Sequence, residues 1–135
     1  MVLKLQGLVN GDFYDLQIAW DNRRDGSFDD FDGRALFGLQ FDRRFGFDRG
    51  PAFPLTDLFV FISDQLKEDR YVIVSLDSPG GWHMAVIYDE KDEDFVAITK
   101  VGEGNASKTA QVGCVKAGIL AMQGTDVLVY ENVDA

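Results

Sequence analysis

The sequence holds a single cysteine, Cys114, and a single histidine, His83, in 135 residues. One thiol excludes an internal disulfide and fits a reducing, cytoplasmic setting. No apolar run approaches the roughly 18 residues of a membrane span. The opening MVLKLQGLVN carries one Lys and no long apolar core, which argues against a secretory signal. Basic residues are scarce too: 13 Lys and Arg face 23 Asp and Glu, a formal net charge of −10. A protein that neutralises backbone phosphates needs the opposite sign, so the charge argues against nucleic acid and against anionic membrane as partners. What remains is ordinary, with 46% apolar and 27% charged residues. That composition excludes a disordered tail, a collagen-like repeat and a coiled coil. The length suits one domain.

Charge and aromatics are unevenly spread. Residues 1–50 contain no Glu and carry −2, leaving −8 for residues 51–135, and seven of the eleven Phe lie in the first 50. A 50-residue unit without disulfide or metal buries little surface. One domain over 1–135 is therefore expected, with a Phe/Arg/Asp-rich β subregion at 1–50 and a second subregion at 55–135. The segment Gly50-Pro51-Ala52-Phe53-Pro54 joins them. No internal repeat is present.

Hydrophobic periodicity supplies the elements. Phe13–Trp20 and Arg34–Phe41 read as strands, separated by a polar turn region at Asp21–Gly33. Leu55, Leu58, Phe59, Ile62 and Leu66 recur at helical spacing, predicting a helix over 56–68 with Thr56 as N-cap. Tyr71–Leu76 is a β-branched run typical of a buried strand. Trp82–Tyr88 and Phe95–Val101 read as strands joined by the acidic loop Asp89–Asp94. Val112, Val115, Ile119 and Met122 predict a helix over 112–123, closed by Gly124 in the left-handed region, and Asp126–Tyr130 reads as a final strand. This order predicts an α+β fold, an antiparallel sheet packed with two helices.

The lone Cys and lone His each sit where a thiol enzyme could use them. His83 opens an apolar strand after Gly80-Gly81-Trp82, and Cys114 stands at a predicted helix start, where backbone N–H groups favour a thiolate. In that arrangement Cys114 is the nucleophile and His83 the general base and acid. Asp94 orients the imidazole, with Asp92 and Asn105 as other candidates, and Gln111 donates to an oxyanion. A core role for the thiol and a structural role for the histidine are the competing readings.

The residues Tyr71-Val-Ile-Val-Ser-Leu76, Gly81-Trp-His-Met-Ala-Val-Ile87 and Phe95-Val-Ala-Ile98 resemble the histidine half of papain-like bacterial peptidases, including the bacteriocin-processing type. Gly113-Cys114-Val-Lys-Ala-Gly-Ile-Leu-Ala-Met122 is similar to the nucleophile helix of that superfamily. The resemblance covers about residues 55–123. It implies hydrolysis or acyl transfer on an amide, peptide or thioester. Here His83 precedes Cys114 by 31 positions. That order resembles permuted members such as the lecithin–retinol acyltransferase group, whose interval is longer.

Two further features stand out. Asp21, Asp25, Asp29 and Asp32 fall at offsets 1, 5, 9 and 12 with Gly26 at 6, near a calcium-loop pattern, although Arg23 occupies a ligand position. The stretch also resembles the aspartate-rich turn of calcium-binding tellurite-resistance proteins over about 20 residues. A solvated turn with Arg–Asp pairs is the other reading. The stretch Phe37, Phe41, Phe45, Phe47 and Phe53, interleaved with Arg43, Arg44 and Arg49, has the residue types of an interface core or of the domain's own core. Three functions follow: a cysteine hydrolase or acyltransferase without a cofactor, a non-catalytic acidic module that binds a protein partner or a second copy of itself, and a calcium-stabilised β-rich protein.

Overall fold

The computed structural model describes residues 28, 32–33, 35–36, 39–78, 81–101 and 108–132. The expected strand Phe13–Trp20, Asn105 and the loop from Asp21 to Asp32, apart from Phe28 and Asp32, lie outside the described residues. For His83 the description extends to its backbone position.

Seven strands are described: β1 (Ala35–Leu36), β2 (Leu39–Arg44), β3 (Val72–Ser78), β4 (Gly81–Lys91), β5 (Asp94–Val101), β6 (Lys108–Val112) and β7 (Val127–Asn132). They form one sheet in the order β1-β2-β7-β3-β4-β5-β6. Every neighbouring pair is antiparallel. Two helices, α1 (Leu55–Lys67) and α2 (Val115–Ala121), complete the α+β architecture expected from the sequence.

Period-2 alternation divides the central strands between two buried faces. Val72 and Val74 of β3, Ala85 and Ile87 of β4, Phe95 and Ala97 of β5 and Val127 of β7 pack with Leu58 and Ile62 of α1 and with Val115 and Ile119 of α2. The intervening residues Ile73, Met84, Val86, Leu128 and Tyr130 are buried as well, as are Phe28 and Phe41. Burial on both faces explains why β3 reads as a continuous apolar run rather than an alternating one. On β7, Tyr130 meets Phe41 edge-to-face, and its hydroxyl accepts the Tyr71 amide at 3.2 Å. Burial pushes the Tyr130 phenol well above the usual tyrosine range.

Several boundaries differ from the sequence reading. The expected strand Arg34–Phe41 is two strands, because Leu36 pairs with Leu39 and the chain reverses between them. The N-cap of helix α1 is Pro54, not Thr56: the Pro54 carbonyl accepts the Leu58 amide at 3.0 Å, and no side chain caps the end. The acidic loop Asp89–Asp94 is mostly strand. Only Asp92 and Glu93 form its turn, both with positive φ, as a tight two-residue hairpin requires. The helix expected over 112–123 is shorter, because Lys108–Val112 pairs with β5 and Cys114 breaks the chain direction at φ 55. At its other end Gly124 has the positive φ expected of it, 110°, next to Gln123 at 59°.

No helix among the described residues is long and apolar enough to cross a membrane.

Candidate functional site

Strand register fixes where the candidate residues lie along the sheet. Lys116 of α2 donates its backbone N–H to Asp94 Oδ1 at 3.0 Å, which ties the start of that helix to the β4–β5 turn. Asp94 pairs with Lys91 at the end of β4. His83 lies eight residues back along the same strand, paired with Leu76, a separation of about 26 Å at 3.3 Å per residue. Cys114, two residues from Lys116, is exposed at the hairpin end of the sheet. The His83 backbone is at the other end. Gln111 is exposed on edge strand β6, level with Ile98. The structure thus brings Cys114 and Asp94 to one end of the sheet and leaves His83 eight residues from Lys91, the strand partner of Asp94, while Gly118, one turn along α2 from Cys114, packs toward Leu76, the strand partner of His83.

Asp94 has a different task. Cys114, the N-cap of α2, makes no side-chain capping bond, and Asp94 Oδ1 fills that place from 22 residues away while also accepting the Phe95 amide at 2.8 Å. The Lys116 side chain lies over the Phe95 ring at 4.8 Å and the Phe59 ring at 5.7 Å, with Glu90 Oε2 at 3.5 Å. Ser63 of α1 donates to the other Glu90 oxygen at 2.9 Å. These contacts staple α1, the hairpin and α2 together. Asp94→Ala is expected to cost about 1 kcal/mol, the usual worth of a helix cap, and to lower Tm by roughly 3–6 °C in calorimetry. An unchanged Tm would deny the cap any stabilising role.

Asp32 of the calcium-loop candidate accepts the Arg43 amide at 3.0 Å. Asp21, Asp25 and Asp29 lie outside the described residues, and among the described ones no three His, Cys, Asp or Glu side chains gather into a metal-holding group.

The strongest local feature is where β2 ends. Phe45 takes the left-handed conformation at φ 59, which costs a bulky L-residue about 1–3 kcal/mol and turns the chain sharply. Gly46 then passes so close to Arg43 that a Cβ there would sit 2.6 Å from Nη1. Phe47 follows, 62% exposed, while Phe53 is 6% exposed in the core. The Phe47 ring is supported edge-on by Phe45 at 6.3 Å and by Phe53 at 6.2 Å, and Phe45 rests on Phe61 of α1 at 5.4 Å. The segment is tied down from below. Gly50 N–H donates to Gln123 O at 3.1 Å, Arg49 Nε to Gly124 O at 3.0 Å and Arg43 Nε to Asp126 Oδ2 at 2.7 Å. A rigid aromatic knuckle results, with one ring presented to solvent.

No family model, curated protein or solved structure matches the chain.

The knuckle therefore has to be read from its own chemistry. It holds no nucleophile and no acid–base pair. It offers a large apolar ring whose conformational freedom is already restricted, the kind of group that anchors a protein contact at low entropic cost. The Phe/Arg stretch flagged this region, but not which Phe is outside. Phe41 is fully buried, Phe53 nearly so, and the backbone reversal at Phe45 puts Phe47 out.

Proposed function

We propose that this chain is a non-catalytic, acidic protein-binding module that holds a basic protein on its aromatic knuckle. The observation that carries this reading is Phe47, 62% exposed yet braced by two rings and by a strained backbone at Phe45. Strain of that kind persists only where surrounding structure over-determines it, and it concentrates at functional positions. The formal charge of −10 selects the partner's sign. Two copies would repel each other, whereas a basic partner is steered in. A basic protein with an apolar socket fits better than a homodimer.

Fluorescence anisotropy with labelled basic peptides carrying one aliphatic or aromatic residue tests this. Phe47→Ala is expected to weaken binding at least about tenfold, as loss of a central anchor does, while changing unfolding free energy by less than about 1 kcal/mol. Affinity should fall as salt rises. Equal binding of acidic peptides, or indifference to Phe47→Ala, would defeat the reading. Sedimentation equilibrium should show a monomer. A dimer that Phe47→Ala dissolves would hand the knuckle to a second copy instead.

A further inference from the structure

We infer that a cleft at the C-terminal end of α1 receives a single cationic side chain, lysine or arginine, from the same basic partner. This deepens the binding reading above and rests on it. The cleft has a volume of about 190 Å³ and is lined by Leu66, Asp69, Arg70, Tyr71 and Tyr88. That is below the roughly 300 Å³ at which pockets for whole small molecules begin, so it suits one side chain.

Its walls favour positive charge. The Tyr71 and Tyr88 rings stand 6.4 Å apart at 74°, forming two sides of a notch. Ring faces carry the negative part of the aromatic quadrupole and attract ammonium and guanidinium groups. The notch sits where α1 ends, with the Asp69 amide on Leu66 O at 3.1 Å and the Arg70 amide on Gln65 O at 3.0 Å. The C-terminal end of a 13-residue helix adds partial negative charge. Asp69 and Arg70 offset each other in formal charge. The rings, the helix end and the overall charge of −10 then decide the sign.

Both rings are positioned rather than incidental. The Tyr71 amide is held by the buried Tyr130 hydroxyl at 3.2 Å. Tyr88 falls in the register shift between Ile87 and Asp89, the one irregularity in the β4–β5 pairing. A bulge of this kind re-aims a side chain.

Ring contacts also connect the knuckle to α1, the helix that ends at the cleft. From Phe47 the ring contacts step 6.3 Å to Phe45 and 5.4 Å to Phe61. Leu66 of the cleft is five residues further along α1, about 7.5 Å.

Amide chemical shifts of the ¹⁵N-labelled protein test the inference directly. Nα-acetyl-arginine amide and Nα-acetyl-lysine amide, at tens of millimolar, should shift Asp69, Tyr71 and Tyr88, and Nα-acetyl-glutamate amide should not. Tyr88→Ala should weaken the arginine probe at least fivefold. Asp69→Asn, at an exposed position, should weaken it about twofold or more, with the unfolding midpoint measured alongside. Phe47→Ala should leave it unchanged. No shift at the cleft with either cation, or a shift with the glutamate probe instead, would overturn the inference. Peptide binding that depends on Phe47 but not on Tyr88 would defeat the cleft alone. Cation binding at the cleft with no Phe47 dependence of peptide binding would defeat the knuckle alone.

Discussion

Asp126→Ala is expected to lower the unfolding free energy by about 2–4 kcal/mol, because it strips the acceptor from a buried amide and the partner from a half-buried guanidinium. Asp126 is 5% exposed, and its Oδ2 accepts both the Phe28 amide at 2.9 Å and Arg43 Nε at 2.7 Å. Phe28 is fully buried, so truncation takes away an acceptor where water cannot replace it. The same carboxylate holds Arg43, the residue under Gly46, so the knuckle should loosen along with the core. Among the described residues the other oxygen, Oδ1, is buried without a hydrogen-bond partner. Asp126→Asn keeps an acceptor for the first two donors and should therefore cost less than the alanine change. Urea unfolding of both variants checks the order. A loss below about 1 kcal/mol for Asp126→Ala would mean that water reaches the site after truncation.

Gly124→Ala should be comparably damaging, at about 3–5 kcal/mol. Two effects add. Gly124 has φ 110, a conformation that L-residues avoid. A Cβ there would also overlap Cγ and both Cδ atoms of Phe53, a nearly buried ring that cannot swing away. A double-mutant cycle with Phe53→Ala separates the terms. If ring overlap matters, Gly124→Ala costs less in the Phe53→Ala background, and what remains is the backbone contribution. Full additivity would place the whole effect in the backbone.

The sequence was most readable where packing enforces a period. Leu58 and Ile62 announced α1, and the β-branched run at 72–74 announced a strand buried on two faces. Edge strand β6 is hard to read because Lys-Thr-Ala-Gln-Val offers only one short apolar alternation, Ala110 and Val112, and its identity comes from pairing with β5. The acidic residues 89–94 read as loop on composition, whereas the Asp92–Glu93 turn lets the strands continue almost to the tip. At the candidate site, the clustering of Phe and Arg between Phe37 and Phe53 was visible. A phenylalanine in the left-handed region has no sequence signature, so the exposed position of Phe47 was not. The Tyr71–Tyr88 notch depends on a bulge, which period-2 reasoning smooths over.

The place of β7 governs how the molecule can be made. It lies between β2 and β3, pairing Leu39 with Asn132 on one side and Ile73 with Leu128 on the other. Of the described elements it leaves the ribosome last. Until it emerges, β1 and β2 have no seam to β3, and Phe41 lacks its Tyr130 neighbour. The nascent chain can assemble the local meander β3–β6 early, because its contacts are short in sequence. The connection to β2 spans nearly the whole described chain and is closed in a single late step. High contact order of this kind slows folding and leaves two unpaired strand edges exposed in the meantime. Removal of residues 127–132 would therefore not trim the sheet but divide it in two.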